Sequence, residues 1–92
     1  MSLSLPDYRA KLISKIMLSN SQVEVKRFID TAMTSLEKYK LNGFIIDRFV
    51  DKTIDELETF TPMNQEPQQW SNIRMARIVF NRIRKKTQLP HP

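Results

Sequence analysis

The sequence predicts an all-α fold: a compact antiparallel four-helix bundle, or a three-helix core with a short N-terminal helix packed across it. Three observations carry this. Apolar residues recur at three- and four-residue spacing in four separate stretches. Gly43 is the only glycine, whereas the hairpins of sheets and barrels draw heavily on turn glycine. The breaks between the stretches are polar and short, as connections between antiparallel helical neighbours are.

The first helix is expected from about Leu5 to Leu18. Ser4 is its N-cap, and Pro6 and Asp7 suit a first turn through fixed φ and negative charge. Tyr8, Leu12 and Ile16 make its apolar stripe, widened by Ile13 and Met17, with Arg9, Lys11 and Lys15 off it. Ser19-Asn20-Ser21 breaks this helix. Ser21 and Glu24 have the capping-box spacing, in which the serine oxygen takes a free N–H and the glutamate reaches back. The second helix then carries Val25, Phe28, Ile29, Ala32, Met33 and Leu36, the wide face of a core-facing helix.

Leu41-Asn42-Gly43 separates the second and third helices. Either Gly43 closes the second helix in the left-handed conformation, or Asn42 caps the third. The third helix is expected from about Phe44 to Phe60. Ile46, Phe49, Val50, Ile54, Leu57 and Phe60 form its buried stripe, with Ile45 beside it. Pro62 and Pro67 interrupt the chain after it. Asn64 reads as the cap of a fourth helix over about Glu66 to Thr87. Trp70, Ile73, Ala76, Phe80 and Ile83 form the core face of that helix.

Ninety-two residues make one domain, 1–92, with 1–4 and 88–92 expected to fray. No apolar run reaches the length that spans a bilayer. The opening MSLSLPDYRAK lacks the charged lead and apolar core of a secretory signal. Without cysteine, neither disulfides nor thiolate metal sites can form, which suits a cytoplasmic setting. The net charge is +5, a balance that favours acidic partners.

The charge is unevenly placed. The third helix carries Asp47, Asp51, Asp55, Glu56 and Glu58 against Arg48 and Lys52. The fourth carries Arg74, Arg77, Arg82, Arg84, Lys85 and Lys86 against Glu66. Asp47, Asp51 and Asp55 form one ridge. The simplest expectation is that these opposed helices pair. Arg84, Lys85 and Lys86 also suit a helix C-terminus. Met75, Ile78 and Val79 lie outside the main stripe of the fourth helix. They make it apolar around more than half its circumference, as in a central helix or one side of an oligomer.

Familiar chemistries lack their residues. His91, between two prolines, is the only histidine, and there is no cysteine nucleophile. The chain has no Glu-X-X-His pair, EF-hand loop or glycine-rich phosphate loop. Ser14, Thr34, Ser35 and Thr53 read as surface or boundary residues. No cofactor, metal or membrane is expected, and the chain reads as non-enzymatic. Asn72-Ile73-Arg74-Met75-Ala76-Arg77-Ile78-Val79-Phe80 resembles the last helix of the α-helical lid in some AAA-type ATPases, where an Asn, a spaced Arg pair and a Phe recur in similar order. The likeness covers about nine residues, and the sequence has no Walker motif.

The sequence therefore predicts a protein–protein interaction module, with another protein or its own copy as partner and a two-fold homodimer as the default. The surface expected to carry this is Arg74, Met75, Arg77, Ile78 and Arg84. A nucleic acid bound along the basic helix is the alternative.

Overall fold

The computed structural model describes residues 4–39 and 41–88. It contains four α-helices: α1 (Leu5–Met17), α2 (Gln22–Lys38), α3 (Gly43–Glu58) and α4 (Pro67–Gln88), with a short 3-10 turn at Pro62–Asn64 before α4. α4 packs against each of the other three helices. α1 does likewise, whereas α2 and α3 make little direct contact. The short first helix is thus an integral bundle member. Of the ends expected to fray, Ser4 is an ordered cap and Gln88 closes α4. The remainder, His91 included, lies outside the described residues.

Local chemistry sets the helix starts. Asp7 N–H donates to Ser4 Oγ at 3.2 Å. Glu24 N–H donates to Ser21 Oγ at 3.2 Å, and the Glu24 carboxylate accepts from Asn20 N–H at 3.3 Å. The glutamate thus reaches one residue beyond the cap. At α3 the second alternative holds. Phe44 N–H donates to Asn42 Oδ1 at 2.7 Å, and Gly43 is the first helical residue. Asn64 does not cap α4. It belongs to the 3-10 turn, and the first intrahelical bond of α4 runs from Trp70 N–H to Glu66 C=O at 2.9 Å. Two prolines five residues apart impose this, because each removes an N–H and restricts the residue before it.

The core draws on all four helices: Leu12, Ile13 and Ile16 of α1; Val25, Ile29, Ala32 and Leu36 of α2; Phe49, Val50, Ile54 and Leu57 of α3; Ile73, Ala76, Val79 and Phe80 of α4. Tyr8 meets Phe49 edge-on, with ring centroids 6.0 Å apart. Val79 is a core residue, so the breadth of α4 is largely consumed by its central position. Trp70 and Met75 pack partly buried against the same core. Thr53, expected at the surface or boundary, is fully buried. It lies between Val50 and Leu57 on the apolar face, and its hydroxyl donates to Phe49 C=O at 2.7 Å. Bonding the carbonyl one turn back removes the cost of an unpaired hydroxyl.

One polar residue joins the elements. Asn72 is fully buried on α4. Its Nδ2 donates to Ser19 C=O at 2.7 Å and to Met17 C=O at 3.4 Å, and its Oδ1 accepts from Gln68 Nε2 at 3.0 Å. Ser19 is also buried, and its Oγ donates to Lys15 C=O at 2.8 Å. The α1–α2 turn is therefore clamped to α4 through carbonyls that helix termination leaves without intrahelical partners.

Candidate functional site

The packing of α4 fixes which residues it offers outward. Asn72, Ile73, Ala76, Val79 and Phe80 face inward. Residues at the complementary helical positions face out: Arg74, Ile78, Arg82 and Lys85 are exposed, and Arg77 and Asn81 are half-buried. These six line one shallow depression. Ile78, 46% exposed, sits at its centre. Arg74 is one turn before it, Arg82 one turn after, and Lys85 a further turn along.

Arg74, Met75, Arg77, Ile78 and Arg84, the residues singled out from sequence, do not form one cluster. Arg74, Arg77 and Ile78 share the depression. Met75 lies in an adjoining one with Gln22, Pro67, Trp70 and Ser71, and Arg74 and Ile78 border both. Arg84 faces α3. Its Nη1 is 3.8 Å from Asp51 Oδ1, and its Nη2 donates to Asn81 Oδ1 at 2.9 Å. Asn81 Nδ2 in turn donates to Arg77 C=O at 2.7 Å.

Arg82 and Lys85 belong to the site although the sequence reading did not place them there. Their signal was available, since they follow Ile78 by four and seven residues and so share its face.

The expected pairing between α3 and α4 is realised at Arg84 and Asp51. A second interhelical pair joins Arg9 of α1 to Glu56 of α3 at 3.1 Å. Among the described residues, Arg74, Arg77, Arg82 and Lys85 have no carboxylate within 4.0 Å. Asp47, Asp55 and Glu58 likewise have no cation within that distance. The reason is rotational. Arg84 is set toward α3, whereas Arg74, Arg82 and Lys85 project to solvent.

Other groups offer less chemistry. Among the described residues no three His, Cys, Asp or Glu side chains gather as a metal site, and no helix is long and apolar enough to cross a membrane. No protein-family model, curated protein or solved structure matches the chain. The ATPase-lid likeness therefore rests on its nine residues alone, and within them Asn72 is occupied by the α1–α2 turn.

Proposed function

We propose that this domain is a non-enzymatic protein–protein interaction module whose α4 face receives carboxylates from a partner protein. One observation carries the reading: among the described residues, four cations without carboxylate partners surround a half-exposed isoleucine on a helix packed against three neighbours. Arginine around an apolar anchor is the composition that interfaces favour. An acidic amphipathic segment would set an apolar side chain on Ile78 and its carboxylates on Arg74, Arg77, Arg82 and Lys85. Arg–carboxylate pairs of this kind are charge-assisted and frequently bidentate. A cysteine-free chain suits work in the cytoplasm.

Nucleic acid competes for the same cations. A phosphate backbone would satisfy the charges but leave Ile78 without an apolar contact, so the protein partner is the better fit.

The test is a fluorescence-anisotropy titration of a labelled acidic amphipathic helix and, in parallel, a labelled DNA duplex. Wild type is compared with Arg74→Glu/Arg82→Glu/Lys85→Glu, whose three altered residues are all exposed. The reading expects the peptide to bind wild type at low salt, to weaken as salt rises, and to lose affinity for the variant. No peptide binding at low salt, or tighter binding of the duplex than of the peptide, overturns it.

A further inference from the structure

The partner's chemistry is carried by this chain itself. α4 holds six cations and no carboxylate, so a two-fold pairing of α4 with α4 would bring like charges together. α3 supplies the complement. Asp47, Asp51, Asp55 and Glu58 run along one flank of it, the flank that meets α4 through Asp51 and Arg84. Asp55 and Glu58 are exposed and Asp47 is half-buried. Phe44, three residues before Asp47 and 71% exposed, gives the same ridge an apolar end.

The spacings match. Read backwards along α3, Glu58, Asp55, Asp51 and Asp47 follow one another by three, four and four residues. Read forwards along α4, Arg74, Arg77, Asn81 and Lys85 follow one another by the same steps. Both ridges cover roughly 16 Å. The acidic position already paired inside the chain, Asp51, falls opposite Asn81, which like Asp51 is tied to Arg84.

Resting on the reading of α4 given above, we infer that the partner is a second copy of this chain, joined in a crossed two-fold dimer. The α4 ridge of each copy lies antiparallel on the α3 ridge of the other. A two-fold axis along the α3–α4 seam closes both contacts at once, which is the reciprocal arrangement a symmetric dimer requires. Arg74, Arg77 and Lys85 then face Glu58, Asp55 and Asp47.

The experiment is solution mass by light scattering at low salt on wild type, on Arg74→Glu/Arg82→Glu/Lys85→Glu, on Asp47→Lys/Glu58→Lys, and on an equimolar mixture of the two variants. Circular dichroism on each checks folding. The altered side chains are exposed except for half-buried Asp47, which has no cation within 4.0 Å among the described residues. Wild type should have twice the 10.9 kDa chain mass. Each variant alone should be a monomer, because two of the three charge pairs in each of its contacts would join like charges. The mixture should return to the dimer mass, because both contacts then join opposite charges. A monomeric wild type, a dimer that survives in either variant, or a mixture that stays monomeric overturns the crossed dimer. The interaction reading fails separately, through loss of peptide binding by wild type in the titration above.

Discussion

Replacing Asn72 by leucine should destabilise the domain more than any other single polar-to-apolar exchange on α4. Leucine has the branched shape of asparagine but is larger, so the exchange opens no cavity and any overpacking adds to the loss. It does remove two donors. Ser19 C=O, bonded at 2.7 Å in a buried residue, loses its partner, as does Met17 C=O at 3.4 Å. A stranded buried polar group costs about 1–3 kcal/mol, and the longer bond belongs at the low end. The two together come to about 2–4 kcal/mol. In a domain of this size each kcal/mol lowers Tm by roughly 4–8 °C, so a fall of about 8–32 °C is expected. Thermal unfolding followed by far-ultraviolet circular dichroism measures this. A fall of less than about 3 °C would refute the clamp. In that case the α1–α2 turn would be held by packing, and the hydrogen bonds to it would be incidental.

Other residues should respond according to their surroundings. Phe80→Ala removes a fully buried ring from a helix that contacts all three others and should cost about 3–5 kcal/mol by urea denaturation. Met63→Ala, at a side chain 92% exposed, should change stability by less than about 0.5 kcal/mol. Ser21→Ala and Asn42→Ala each remove an N-cap acceptor and should each cost about 1 kcal/mol in the same assay. Arg84→Ala breaks a partly exposed 3.8 Å ion pair and should cost under about 1 kcal/mol. A larger loss there would mean that α3 and α4 are held together by charge, and not mainly by Ile54, Leu57, Ile73 and Phe80.

The four helices were legible because their signals are local. Ser4, Ser21 and Asn42 announce helix starts within three residues, and the apolar stripes of α1, α2 and α3 coincide with their buried faces. Legibility failed where the outcome depended on a neighbour. Asn64 looks like a cap, but two flanking prolines move the start of α4 to Pro67. Thr53 looks peripheral by residue type, and only the fit of α3 into the core buries it.

Val79 looked surplus to the α4 stripe because a single-stripe reading assumes that a helix packs on one side. A helix touching three others buries a wider arc.

The site was legible in part for the same reason. Arg74, Arg77 and Ile78 follow from helical periodicity. The division of the basic residues into paired Arg84 and unpaired Arg74, Arg77, Arg82 and Lys85 depends on the rotation of α4 against α3, which no local pattern encodes. The apolar breadth of α4 goes mainly into the core, and its charge is what remains for a partner.

The most direct measurement is the affinity of wild type for the acidic amphipathic peptide, set against that of Arg74→Glu/Arg82→Glu/Lys85→Glu in the same low-salt buffer. The account predicts at least a tenfold loss, about 1.4 kcal/mol, with the variant's helicity unchanged. Equal affinity in a folded variant would contradict it and remove the exposed cations of α4 from any role in binding.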